Sequence, residues 1–96
     1  MVIEFLTFQV PPDELESWLD VEERHWSRFL ERQDGFVKKE MWRTADAPTS
    51  VHAVIWWESM QQWQAIPQRD LDAVIEAMGP HERHAECVAY DVIRSN

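Results

Sequence analysis

The sequence predicts an α+β fold in which two helices cover one face of a four-stranded antiparallel sheet. Three observations predict it. Strand-like and helix-like segments follow the order β-α-β-β-α-β, a short turn joins the middle two strands, and the strands carry apolar residues on both faces. This order is that of the ferredoxin-like split motif. A chain of 96 residues accommodates one such domain, residues 1–96, and leaves no room for a second core.

The first strand is predicted over Val2–Val10, where β-forming residues predominate. Both of its alternating sets of side chains are apolar: Ile3 and Phe5 lie on one face, Leu6 and Phe8 on the other. A sheet with water on one face would show polar residues in one set. We therefore expect helices on one face and a second sheet, from another copy of the chain, on the other.

A long helix is predicted over Pro12–Arg32. Pro12 fits the first turn of a helix, and the acidic Asp13 follows it at the positive end of the helix dipole. Gly35 supplies the left-handed backbone that ends the helix. Apolar residues at three- and four-residue intervals form one stripe along it: Leu15, Trp18, Leu19, Trp26, Phe29 and Leu30.

The middle of the chain is predicted to form a hairpin and a short helix. Strands over Phe36–Thr44 and Val51–Glu58 are joined by a turn at residues 45–49, so they pair antiparallel. A short helical segment follows over Ser59–Ala65, and Pro67 ends it.

The last third of the chain is predicted to add the second main helix and the fourth strand. The helix spans Gln68–Met78, with apolar residues at helical spacing, and Gly79-Pro80 ends it. Residues 81–85 form a polar loop, and the strand spans Cys87–Ile93.

The charge and the cysteine content exclude several classes of function. Nine Lys and Arg against eighteen Asp and Glu give a net charge of −9, which repels phosphate backbones and anionic lipids. We therefore expect neither nucleic acid nor membrane as a partner, and no apolar run approaches the roughly 18 residues of a membrane span. The single cysteine and the lack of a signal-type N-terminus predict a cytoplasmic protein.

No motif for a metal or a nucleotide is present. His81, His84 and Glu86 are close in sequence, but they lack the spacing of a preformed metal site, so we predict a solvated loop and no metal. The only glycines end helices, so there is no phosphate-binding loop. Cys87 is predicted to be a small, buried, apolar side chain.

Glu22 is the most unusual residue of the sequence, because it lies within the apolar stripe between Trp18 and Trp26. A carboxyl group there must be hydrogen-bonded, paired or protonated. An apolar environment would raise its pKa and suit it to acid–base catalysis. The alternative is a structural ion pair with Lys39 or Arg43.

His25 flanks the same stripe and is a second candidate catalytic residue, placed to pair with Glu22. Six Trp in 96 residues is an unusual number. They either fill two apolar sheet faces or, in part, line a pocket for a flat ligand. The candidate ligand-binding residues are Trp18, Trp26, Trp42 and Trp57.

Segments along nearly the whole chain resemble a family of small uncharacterised proteins found largely in cyanobacteria. They are Met1–Leu6, Val10–Pro12, Glu22–Trp26, Asp34–Phe36, Lys39–Trp42, Val54–Ser59 and Gln62–Pro67. That family is similar to the dimeric α+β barrel superfamily, which includes antibiotic-biosynthesis monooxygenases and heme-degrading enzymes. The resemblance implies a ferredoxin-like monomer that assembles as a dimeric α+β barrel.

The resemblance also bears on cofactors. The superfamily's cofactor-free members oxidise electron-rich aromatic substrates directly, which implies no metal, flavin or other cofactor. Those monooxygenases typically place an Asn in the pocket early in the chain, whereas the only Asn here is Asn96. The heme-degrading branch uses a His of the second helix, about three turns after a Trp. Trp63 matches that Trp, but residues 71–75 contain no His.

Two functional hypotheses follow. The first is a cofactor-independent monooxygenase-like or small-apolar-ligand-binding protein, with a pocket between the first helix and the sheet. In it Glu22 or His25 removes a substrate proton, and Trp rings hold a planar substrate. The second is a non-catalytic homodimeric binding or scaffold protein, in which the Trp side chains are core and Glu22 is a structural ion pair. A polar-lined cavity that reaches solvent favours the first, and a filled core with Glu22 paired to Lys or Arg favours the second.

Overall fold

The computed structural model describes residues 1–96 and contains one four-stranded sheet. Its strands are β1 (Val2–Gln9), β2 (Phe36–Arg43), β3 (Ser50–Trp57) and β4 (Glu86–Asp91). They lie in the order β2-β3-β1-β4, and every neighbouring pair is antiparallel. The ferredoxin-like prediction is confirmed, with strand ends within two residues of those predicted.

The helical segment between β1 and β2 is not the uninterrupted α-helix that the sequence predicted. It opens with a 3₁₀ turn at Pro12–Glu14 and continues as α1 (Leu15–Glu22). A π-helical turn then spans Glu23–Ser27, and α2 (Arg28–Leu30) completes it. A π turn holds more residues than an α turn, so it changes which side chains share a helix face.

The second helical region follows the prediction closely. Helix α3 spans Met60–Gln64, and the Ser59 hydroxyl caps it by accepting a hydrogen bond from the Gln62 N–H at 3.2 Å. Helix α4 spans Gln68–Met78, as predicted, and a 3₁₀ turn follows at Gly79–His81. No helix in the structure is long and apolar enough to cross a membrane.

The core lies between the helices and one face of the sheet, in two clusters. Trp57 is the largest side chain of one cluster and Trp18 of the other, and each is at most 2% exposed. Helix residues such as Phe29 and Val74 pack on alternate residues of β1 and β3. These two central strands therefore supply the base on which both helical regions rest.

The opposite face of the sheet, here called the open face, carries no helix. On it Phe5 has its ring centroid 6.3 Å from that of Trp42 and 6.0 Å from that of Tyr90. Trp42, Val88 and Tyr90 are 44%, 49% and 52% exposed. The prediction that the strands are apolar on both faces is confirmed, and one of those faces is uncovered in the monomer.

The prediction that Cys87 is buried is wrong. Its side chain is exposed, as is every residue of β4. The reason is topological: β4 lies at the edge of the sheet, where neighbours cover it on only one side. Burial raises the pKa of the partly shielded Cys87 thiol, with a smaller contribution from the charge of Glu4.

The two glycines differ in their surroundings, which gives a test of the fold. Both have positive φ, +86° at Gly35 and +57° at Gly79. A Cβ added at Gly35 would lie 2.7 Å from side-chain atoms of Gln62, whereas one added at Gly79 would meet nothing within 4 Å.

We expect Gly35→Ala to lower the free energy of unfolding by about 1 kcal/mol more than Gly79→Ala, because only Gly35 adds a clash to the backbone strain. Urea denaturation measures the free energy of unfolding of both variants. Equal losses would contradict the packing of α3 against the turn that precedes β2.

Candidate functional site

A cavity of about 460 Å³ lies between the helices and the sheet and is partly open to solvent. Strands β1 and β3 form its floor, the helical segment after β1 forms one wall, and α3 with α4 forms the other. Most of the lining is apolar. The floor consists of Glu4, Leu6, Phe8, Ala53 and Ile55, the first wall includes Glu22, Trp26 and Leu30, and the second includes Trp63, Ile66, Leu71 and Ile75.

Glu22 is buried, as predicted, and forms an ion pair with Lys39. The two side chains are 4% and 6% exposed. The Lys39 ammonium donates to the Glu22 carboxylate and, at 2.6 Å, to the Ser27 hydroxyl. The Ser27 hydroxyl in turn donates to the other Glu22 oxygen at 3.4 Å. Of the two cations that the sequence offered, Lys39 is therefore the partner.

Ser27 reaches this ion pair because of the π turn. In a regular α-helix a residue five positions along lies about 140° around the axis from the first, so Glu22 and Ser27 would face different directions. The wider turn at Glu23–Ser27 brings both onto the face that meets β2. Sequence reasoning missed Ser27, because a stripe of 3.6-residue period carries no signal for a π turn.

Glu4 is a second buried carboxyl, and sequence reasoning missed it as well. It lies on the cavity floor, where its Oε1 accepts a hydrogen bond from the Trp57 indole N–H at 3.1 Å. Burial raises the pKa of Glu4, while the indole and the charge of Lys39 oppose part of that shift. A signal was present, because Glu4 is the only charged residue between Val2 and Val10.

The mouth of the cavity is formed by the segment before β4. The Trp26 indole N–H donates to Glu82 at 3.1 Å. Arg83 donates to the Gln9 carbonyl at 3.0 Å and to the Glu14 carboxylate at 3.4 Å, while its Nε is buried without a partner. This segment, predicted to be a polar loop, therefore lines one end of the cavity.

The predicted site residues are dispersed. Glu22 and Trp26 line the cavity, but Trp18 and Trp57 are core residues and Trp42 lies on the open face. Trp18 donates its indole N–H to the carbonyl of the 3₁₀ turn after α4 at 3.0 Å. Trp57 touches the site only through its hydrogen bond to the cavity floor.

His25 lies away from the cavity. It borders a separate groove between the first helical segment and α4, lined by three arginines and Asp70. The predicted pairing of His25 with Glu22 is wrong, because both Glu22 oxygens bind Lys39 and Ser27 instead. No group of three or more His, Cys, Asp or Glu side chains is arranged to hold a metal ion.

The sequence model of one protein family, described as antibiotic biosynthesis monooxygenase, matches residues 1–77. The chain belongs to the antibiotic biosynthesis monooxygenase family. The predicted resemblance to these monooxygenases is thereby confirmed. No curated protein matches the chain at a significant level.

Solved structures with the same fold include two oxygenases from Streptomyces. SnoaB, a cofactor-independent oxygenase from Streptomyces nogalater, is 21% identical, with 98% of this chain and 94% of that one covered and a TM-score of 0.66. The monooxygenase ActVA-Orf6 from Streptomyces coelicolor, in complex with nanaomycin D, is 17% identical, with 99% and 89% covered and a TM-score of 0.76.

A heme-degrading protein shares the fold too. MhuD from Mycobacterium tuberculosis, with two hemes in its active site, is 20% identical, with 100% and 99% covered and a TM-score of 0.72. In the family member described here, α4 contributes Gln68, Leu71 and Ile75 to the cavity, and His84 at the mouth is its one lining histidine. Because α4 contains no histidine, these residues do not fit a heme held by a histidine of that helix.

The ion pair gives a prediction about stability. Glu22→Gln removes the ion-pair partner of the buried Lys39 ammonium, and we expect a loss of about 1–3 kcal/mol in the free energy of unfolding. Lys39→Met should also destabilise, and the double variant should lose less than the sum of the two, because neither charge is then left alone. Urea denaturation at equal protein concentration measures all three.

The exposed pair of Glu23 and Arg28, at 2.9 Å, supplies the matched control. Glu23→Gln should change the free energy of unfolding by less than about 0.5 kcal/mol. A Glu22→Gln variant as stable as the unmodified protein would contradict the structural role. It would favour an acid–base role instead, because acid–base groups are retained even where they lower stability.

Proposed function

We propose that this monooxygenase-family protein binds a small, planar, mainly apolar molecule in the cavity and oxidises it with dioxygen, without a bound cofactor. The cavity carries the proposal. Its volume of about 460 Å³ falls within the range of small-molecule sites, and its lining combines apolar side chains with a few convergent polar groups. A core built only for stability would close such a space, because empty apolar volume is destabilising.

The cavity walls suit an aromatic ring. Trp26 lines one wall and Trp63 the other, and apolar side chains of β1 and β3 lie beneath. A neutral ligand is favoured, because Glu4 on the inside and Glu82 at the mouth would repel an anion, whereas Lys39 balances the charge of Glu22. Membership of a family whose relatives include a cofactor-independent oxygenase supports the same activity.

An electron-rich hydroxyarene can supply all the electrons of such a reaction. With 1-naphthol, one dioxygen would give 1,4-naphthoquinone and one water: one oxygen atom enters the ring and the other leaves as water. The protein's part is to hold the ring, exclude bulk solvent and accept the hydroxyl proton.

The alternative is a non-catalytic homodimeric binding or scaffold protein. The structural ion pair of Glu22 and the burial of Trp18 and Trp57 in the core favour it. The open cavity counts against it, because a scaffold has no need of a solvent-connected, apolar space beside its core.

We also propose that the protein is a cytoplasmic homodimer, with the open face of each copy covered by the other to form an α+β barrel. The exposure of Trp42, Val88 and Tyr90 supports the dimer, because a contiguous apolar patch of this kind marks an interaction surface. The single cysteine supports the compartment.

Binding and turnover test the cavity directly. We expect calorimetry to show 1-naphthol binding, and an oxygen electrode to show protein-dependent uptake with formation of 1,4-naphthoquinone. Ile75→Trp adds bulk at the cavity rim and should weaken binding by about tenfold. Met60→Trp is the control, because Met60 is as exposed as Ile75 at 39% but lies outside the cavity. Absence of both binding and oxygen uptake would favour the scaffold alternative.

Sedimentation equilibrium tests the dimer. We expect twice the chain mass of 11.5 kDa at micromolar concentration, with an interface of more than about 1,200 Å². Val88→Glu places a charge on the open face and should shift the protein toward monomer, whereas Met60→Glu, on α3, should not. A stable monomer of the unmodified chain would contradict the barrel.

A further inference from the structure

Two carboxyl groups line the cavity, and their surroundings differ. Glu22 is neutralised: one oxygen binds the Lys39 ammonium and the other accepts from the Ser27 hydroxyl. Both oxygens of this carboxylate are therefore engaged by protein groups, and neither is free to bind a ligand hydroxyl. Glu22 is therefore a poor proton acceptor for a ligand, although the sequence made it the leading candidate.

Glu4 has no such partners. The Trp57 indole holds one of its oxygens, Oε1, at 3.1 Å, and no lysine or arginine forms an ion pair with it. Its Oε2 accepts no hydrogen bond from the protein, yet that atom is not among those sealed from solvent. Because Glu4 lines the cavity floor, Oε2 is the carboxylate oxygen available to a bound molecule.

Trp57 fixes the direction in which Glu4 presents that oxygen. Its side chain is fully buried, at 0% exposure, and packs within a core cluster that holds the indole ring in place. An acceptor held by a rigid donor is positioned before the ligand arrives, which is the arrangement that acid–base catalysis needs. Trp57 is thus a positioning residue, although it does not line the cavity.

We propose that Glu4 accepts the proton of a neutral hydroxyarene bound in the cavity, which deepens and rests on the function proposed above. The ligand O–H bond breaks, a bond forms between the proton and Glu4 Oε2, and the negative charge moves from the carboxylate to the ligand oxygen. The positive charge of Lys39, which acts on Glu4, favours the resulting anion. The anion is the electron-rich form that reacts with dioxygen.

The electrostatics of the floor agree with this role. Burial raises the pKa of Glu4, so its carboxylate is a stronger base than an exposed one. The pH dependence follows with a definite sign. Below its raised pKa Glu4 is protonated and cannot accept a second proton. The protein should therefore prefer a ligand with a hydroxyl proton over one without at higher pH, and should lose this preference as the pH falls.

A comparison of two ligands, one with a hydroxyl proton and one without, tests the contribution of that proton to binding. 1-Naphthol and 1-methoxynaphthalene share the ring and the oxygen, but only 1-naphthol has a proton to give. We expect calorimetry to show about tenfold tighter binding of 1-naphthol by the unmodified protein, with this preference lost as the pH falls through the pKa of Glu4.

Glu4→Gln provides the decisive variant. The amide oxygen can keep the hydrogen bond from Trp57, which leaves the amide NH₂, a donor, facing the cavity. We expect the preference for 1-naphthol to disappear at every pH, 1-methoxynaphthalene binding to be unchanged, and oxygen uptake to fall by about a hundredfold or more. Glu76→Gln, an exposed change on α4 outside the cavity, should behave like the unmodified protein.

The outcomes separate the two proposals. A full preference for 1-naphthol in Glu4→Gln would overturn the role of Glu4 and leave the function of the cavity intact. Failure of the unmodified protein to bind either naphthalene would overturn the proposed function, and this inference with it. Should Glu4→Gln not fold, the pH profile of the unmodified protein decides the point, because a preference that is constant as the pH falls would contradict Glu4 as the acceptor.

Discussion

The buried ion pair between Glu22 and Lys39 is the contact on which the arrangement of this molecule depends. It joins the first helical segment to β2 through two nearly buried side chains, and the Ser27 hydroxyl hydrogen-bonds to both of them. A buried charge pair costs desolvation, so it adds little net stability, but losing one member is costly. The pair therefore fixes how the helix sits over the sheet, and with it the width of the cavity beside them.

The cavity lowers the stability of this small protein, and other contacts must compensate for it. A chain of this length buries only roughly 60–65% of its unfolded surface, so its margin of stability is narrow. An open space of about 460 Å³ lies where further core packing would otherwise be placed. Full burial of Trp18 and Trp57, each with its indole N–H satisfied, supplies part of the compensation. Covering the open face in a dimer would supply more.

The two buried carboxyl groups are suited to different roles, one structural and the other chemical. Glu22 and Glu4 both face the space between helices and sheet, but Lys39 forms an ion pair with only one of them. The neutralised carboxylate is suited to hold the helix, and the other is suited to exchange a proton. Both depend on β-strand neighbours, because Lys39 and Trp57 project from β2 and β3 toward the helices.

The fold could be predicted from the amino-acid sequence, because strand alternation, the helical stripe and the turn residues are local signals that agree with one another. The sequence also determined that Glu22 is buried and that a lysine or arginine of β2 was a candidate partner. The places of the tryptophans required the tertiary structure: Trp26 lines the cavity, Trp57 lies in the core, and Trp42 lies on the open face. The tertiary structure alone revealed the π turn that brings Ser27 to the ion pair, and the solvent-connected space above Glu4. The ion pair and the cavity arise where segments distant in sequence meet, and the π turn departs from the helical period on which the sequence prediction rested.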